Sequence, residues 1–255
     1  MTIATDRQRT ALIEGGRRLA RVLEELGKQV APGVSAQSLD DLAEKLIRDG
    51  GDTPAFLGYA PDGMHPYPAS LCVSVNEEAA HGLPQAAKVI KEGDIVILDL
   101  GLVHDGMVVD SAITVPVGQV DERSQKLLDV TKAALSAGVA AAVPDGRVGD
   151  ISHAVQRVVE KAGFTIIKAL GGHGLGELVH EEPFIPNFGK AGTGPLLEEG
   201  MVLAIEPIVG TGKAAIMLAP DGFSFVTKDG SRVACFEHTI ILENGGATPV
   251  TVSSR

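Results

Sequence analysis

Gly93-Asp94-Ile95-Val96-Ile97-Leu98-Asp99-Leu100-Gly101-Leu102-Val103-His104-Asp105-Gly106-Met107-Val108-Val109-Asp110-Ser111-Ala112 is the stretch whose reading decides the fold. Two apolar, β-branched runs flank Asp105-Gly106, a dipeptide suited to a two-residue hairpin turn with positive φ at both central positions. With that pair at the turn, Asp99 faces Ala112 and Asp110 lies on the same face as Asp99, one diagonal step away, a separation that a metal ion can bridge. A three-residue loop would throw the two carboxylates to opposite faces unless a bulge corrected the register.

Working outward, three further titratable residues sit in apolar surroundings: Gly172-His173-Gly174, Leu203-Ala204-Ile205-Glu206 and Cys235-Phe236-Glu237-His238-Thr239-Ile240-Ile241. An ionised carboxylate on the inward face of a sheet is costly to desolvate and is normally paired or bound to a metal. Asp99, Asp110, Glu206 and Glu237, with one imidazole and no Lys or Arg beside them in sequence, point to a buried cation site. The glycines around His173 allow close backbone approach, so the imidazole can be presented from a strand end. They fall as GxGxG and do not form a dinucleotide-binding fingerprint. Pro207 favours a strand terminus at Glu206, leaving that carboxylate at a cleft edge, whereas Glu237 is expected in mid-strand.

The composition is compatible with such a site. The chain has 255 residues, 44% hydrophobic and 22% charged, enough for one large globular domain with a buried core. Its net charge of −11 at pH 7 argues against a nucleic-acid or anionic-membrane surface, and two divalent cations would bring it to −11 + 4 = −7. The N-terminus turns charged before any hydrophobic stretch forms, and no apolar run approaches the roughly 18 residues of a membrane span. A cytoplasmic protein without a membrane segment is the expectation. Cys72 and Cys235 lie in strand-like runs without CxxC spacing, so neither a disulfide framework nor a zinc knuckle is indicated.

Helical spacing over residues 6–30 predicts an amphipathic helix closed near Gly27, and a second helix follows Ser38 as N-cap and stops at Gly50-Gly51. Residues 56–68 read as loop and residues 70–76 as a strand. Two more helices are predicted over 124–142 and 148–162, separated by Pro144-Asp145-Gly146, and the remainder is mostly strand and turn. No low-complexity linker interrupts the chain, so residues 1–255 are read as a single domain, with residues 1–50 mainly helical.

Several motifs then occur in order: Asn76-Glu77-Glu78-Ala79-Ala80-His81-Gly82, the hairpin segment, Gly172-His173-Gly174-Leu175-Gly176, His180-Glu181-Glu182-Pro183, Gly200-Met201 through Glu206-Pro207, and Phe236-Glu237-His238-Thr239. Together they resemble type I methionine aminopeptidase, from about Asp6 to the C-terminus. The resemblance implies the α/β (α+β) pita-bread fold, a pseudo-two-fold antiparallel sheet flanked by helices.

It also implies two divalent metal ions, of Mn, Fe, Co or Zn, since hard oxygen donors with one imidazole suit these ions. By resemblance Asp99 would chelate one ion, Asp110 and Glu237 would bridge both, and His173 and Glu206 would complete the second. A water or hydroxide shared by the ions would attack the scissile carbonyl. Glu206 would shuttle the proton, His180 would stabilise the oxyanion, and His81 would contact the scissile amide. A methionine pocket would be formed by Tyr67, Cys72, His81 and Phe223, where soft contacts suit a thioether. His180 would contact substrate as well. Met64 and Val179 depart from the usual pattern, in which aromatic residues are expected.

The implied substrates are N-terminal methionyl peptides and nascent polypeptides with a small second residue, met near the ribosome by a monomer that contacts neither nucleic acid nor membrane. Two alternatives share the fold: an Xaa-Pro-type peptidase, whose usual additional N-terminal domain has no room in the roughly 50 residues before the core, and a non-catalytic peptide-binding relative.

Overall fold

The computed structural model describes residues 1–61 and 65–252. The expected hairpin forms as read. Strands Ile95–His104 and Met107–Pro116 pair antiparallel around Asp105-Gly106, with Asp99 opposite Ala112 and Gly101 opposite Asp110. Both turn residues have positive φ, 47° at Asp105 and 81° at Gly106, as a tight hairpin turn needs. The strand Leu71–Val75 adds to the other edge of Ile95–His104 and brings Cys72 opposite Asp99.

A second, five-stranded antiparallel sheet runs in the order Gly246–Pro249, His238–Glu243, Val202–Ile205, Gly171–Gly174, Glu181–Pro186. The two sheets meet along Met107–Pro116. Thr114 Oγ1 donates to the Cys235 carbonyl at 2.6 Å, Ser111 Oγ donates to the Glu237 carbonyl at 2.7 Å, and the Glu237 N–H donates to the Ala112 carbonyl at 2.9 Å. These buried bonds tie the hairpin to the Val233–Cys235 strand, which belongs to a separate three-stranded sheet, and to the break that follows it.

Two helix pairs cover the outer faces. Helices α1 (Asp6–Gln29) and α2 (Ala36–Asp49) lay Leu12, Leu19, Leu26, Leu39 and Ile47 against Leu71, Leu98 and Leu100 of the first sheet. Helices α3 (Glu122–Ala141) and α4 (Val148–Lys161) lay Leu127, Leu135, Ile151 and Val155 against Leu203, Ile205 and Ile240 of the second. Each fully buried side chain of this size contributes about 2 kcal/mol through apolar burial. Each helix pair thus shares one buried cluster with its sheet.

The structure corrects two local expectations. The N-cap of α2 is Ser35, whose side chain accepts from the Ser38 N–H, so Ser38 stands inside the first turn. Glu237 is not in mid-strand: it occupies the break between Val233–Cys235 and His238–Glu243, where its N–H turns to the other sheet.

Candidate metal centre and cleft

A cavity of about 550 Å³ opens where the two sheets meet, and all five predicted ligands, Asp99, Asp110, His173, Glu206 and Glu237, line it. Asp110 (3% exposed), His173 (8%) and Glu237 (2%) come closest together, each with a ligand atom within 4.8 Å of the others. The His173 Nε2 lies 3.9 Å from Asp110 Oδ2 and 4.0 Å from Glu237 Oε1. Its Nδ1 faces the Gly174 carbonyl at 2.9 Å, an acceptor that fixes the proton on Nδ1 and leaves the Nε2 lone pair for the centre of the cluster. Asp99 and Glu206 stand at the margins of this triad. Asp99 is reached from the hairpin, and Glu206 just past the end of Val202–Ile205, as Pro207 dictates. The Cys235 Sγ donates to Glu206 Oε1 at 3.7 Å.

The electrostatics show what the cluster suits. Burial pushes the Asp110 carboxyl up to about 7, and burial together with the Asp110 charge pushes Glu206 up to about 8. Asp99 and Glu237 are raised by the same causes, desolvation first and then the neighbouring carboxylates. The His173 imidazole is driven down to about 3 by burial and by His180, so it is neutral and available as a ligand. Asp110 Oδ1 is buried with no hydrogen-bond partner among the described residues. Four desolvated carboxylates, one of them with an orphaned oxygen, beside a neutral imidazole with its lone pair turned inward fit a divalent cation.

The rest of the cleft surrounds this cluster. Tyr67, Cys72, His81 and Phe223 line one part, with the Tyr67 and Phe223 rings edge to face at 5.6 Å. His81 is held at φ 54°, a left-handed conformation costing a non-glycine residue roughly 1–3 kcal/mol, and burial lowers its pKa to about 4. His180 lines the same cavity, lowered by burial, with its ring 4.4 Å from that of His173. Val179, beside it, is buried against Phe56, Tyr67 and Cys72. Met64 lies outside the described residues. Phe56, Tyr59, His65 and Phe184 also line the cleft and were not picked out from the sequence. They stand in loops or on exposed strand positions, where no periodicity marks them.

The pattern of a metallopeptidase family covers most of the chain: residues 10–244 match the model described as metallopeptidase family M24. The chain belongs to that family. Among its relatives, a methionine aminopeptidase of Aquifex aeolicus is 45% identical over 238 residues, 91% of this chain and 92% of the relative. Methionine aminopeptidase 1 of Bacillus subtilis is 42% identical, with 95% of each chain covered. The crystal structure of a methionine aminopeptidase from Thermotoga maritima superposes with a TM-score of 0.95 at 42% identity, covering 99% of this chain and 100% of that one. A prolidase from Pyrococcus furiosus shares the M24 fold at a TM-score of 0.79, but at 20% identity and over only 66% of its own length.

Proposed function

We propose that this chain is a methionine aminopeptidase that removes the initiator methionine from peptides with a small second residue. The observation that carries the reading is the single cleft holding both a carboxylate-imidazole cluster and, beside it, a soft apolar pocket of Tyr67, Cys72 and Phe223. Near-full-length identity to methionine aminopeptidases supports it. Likeness to prolidase is a likeness of fold alone.

Asp99, Asp110, His173, Glu206 and Glu237 would hold two divalent ions, with Asp110 and Glu237 common to both. Bound there, such ions supply Lewis acidity and lower the pKa of water toward neutrality. The protein's own groups do the rest. Glu206, at the edge of the cluster, takes the proton of the attacking water and returns it to the leaving nitrogen. His180, neutral through burial, donates to the carbonyl oxygen as it gains negative charge. His81 contacts the scissile amide. The thioether packs between Tyr67, Cys72 and Phe223. The substrate's free amine would take a coordination position on an ion held there, which restricts cleavage to one residue.

The finer reading places this activity on nascent chains near the ribosome, in the cytoplasm, with one copy as the working unit and Mn, Fe, Co or Zn as the ion; it rests on the resemblance in sequence. No helix among the described residues is long and apolar enough to cross a membrane. Metal-loaded protein incubated with Met-Ala-Ser and with an Ala-Pro peptide tests the proposal: free methionine from the first alone is expected. Release of alanine from the second alone would transfer the chain to the proline-directed branch, and no release from either would indicate a binding protein.

A further inference from the structure

Tyr59 has no role in the reading above, yet its hydroxyl lies 2.8 Å from His180 Nδ1. The two rings are 5.4 Å apart and tilted by 44°, and the His180 ring also packs against His173 at 4.4 Å, so the imidazole is held on two sides. Tyr59 is itself anchored. Its N–H donates to the Phe56 carbonyl at 2.9 Å, and its carbonyl accepts from the Tyr67 N–H at 2.8 Å, which ties it to a wall of the methionine pocket.

We propose that Tyr59 is a positioning residue for His180, fixing the tautomer that carries its proton on Nε2. A neutral imidazole has one N–H and one acceptor nitrogen. Among the described residues the Tyr59 hydroxyl has no acceptor other than His180 Nδ1, so its proton goes there and the ring proton is left on Nε2. The opposite tautomer would donate from Nδ1 to the phenol and present a bare lone pair at Nε2. A lone pair repels a developing oxyanion where an N–H stabilises it. One hydroxyl thus determines whether His180 can perform the part assigned to it, and the inference rests on that assignment.

Tyr59→Phe in the zinc-loaded full chain keeps the ring and removes the hydroxyl. Turnover of Met-Ala-Ser is expected to fall about tenfold, part of the 10²–10³ that a complete oxyanion donor contributes, with KM changed by less than about twofold. Nitrogen-15 spectra of the histidine rings, with His180 assigned by its loss in His180→Gln, should show the Nε2–H form in the parent protein and a mixture in Tyr59→Phe. A parent His180 protonated on Nδ1, or a variant in which tautomer and turnover are both unchanged, overturns the proposal, as does a rise in KM alone. If the parent releases no methionine, the functional reading fails while the ring spectra still decide the role of Tyr59.

Discussion

Thr239 and Asp110 hold each other by two hydrogen bonds: Thr239 Oγ1 accepts from the Asp110 N–H at 2.9 Å and donates to the Asp110 carbonyl at 2.7 Å. Both residues are buried, and Thr239 stands two positions after Glu237. The pair therefore sets the spacing between the Asp110 carboxylate on the hairpin and the Glu237 carboxylate in the break before His238–Glu243. Thr239→Val keeps the shape and leaves the Asp110 N–H and carbonyl unpaired, at about 1–3 kcal/mol for each unsatisfied buried group. Urea denaturation should show that loss, and titration against a chelator should show weaker metal binding. A variant with full metal affinity would mean that the pair only stabilises the fold.

Asp110→Asn should be more damaging than Asp99→Asn. Asp110 approaches His173 Nε2 at 3.9 Å within the central triad, whereas Asp99 stands at its margin. Since partners of metal ligands are already worth 10–100-fold, loss of a shared ligand should cost on the order of 100-fold or more in turnover and most of the bound metal, and the marginal change about tenfold. Metal content and turnover measured on both variants check this. Equal losses would contradict the assigned bridging role.

Metal removal should make stability depend on pH in a defined direction. Burial holds Asp110 at about 7 and Glu206 at about 8, with Asp99 and Glu237 also raised, all above their unfolded values. Their contribution is present below the unfolded carboxyl range and is lost as pH rises through the folded values. Chelated protein should thus melt at progressively lower temperature as pH rises from about 4 to about 8, while metal-loaded protein, whose ligands must be deprotonated, should gain in that range. Calorimetry in both states tests it; a chelated protein more stable at the alkaline end would contradict the reading.

Gly16 in α1 illustrates a contest of local and tertiary effects. Alanine is favoured over glycine in a helix by about 1 kcal/mol, but a Cβ at Gly16 would collide with the Val250 main chain. Overpacking of this kind costs about 1–3 kcal/mol, and backbone cannot swing aside as a side chain can. Gly16→Ala should be net destabilising by up to about 2 kcal/mol. Chemical denaturation gives the sign directly.

What could be read in the sequence follows from the range of the forces involved. The Asp99–Asp110 face was legible because a two-residue turn sets register locally, and the pairing of Asp99 with Ala112 follows from it. Helix periodicity located α1 to α4, but the start of α2 fell three residues early because Ala36 and Leu39 both reach the core and make Ser35 the better cap. The break at Glu237 was invisible, since it arises from a bond to Ala112 in another sheet. Tyr59 was missed for a similar reason: it lies in an aperiodic loop, and its partner His180 is 121 positions further along the chain.

The five groups around the cleft come from a hairpin in the first half of the chain, from the Gly171–Gly174 strand and the end of Val202–Ile205, and from a break near the C-terminus. They are spread over residues 99–237, more than half of the chain. A chain still lacking the residues from Glu237 onward has neither that carboxylate nor the Thr239 bonds that seat Asp110, so it offers an ion an incomplete site. High-affinity capture of metal would accordingly be a late event in the life of each molecule, and the metal-binding curve of a refolding population would serve as a clock for the closing of the two halves.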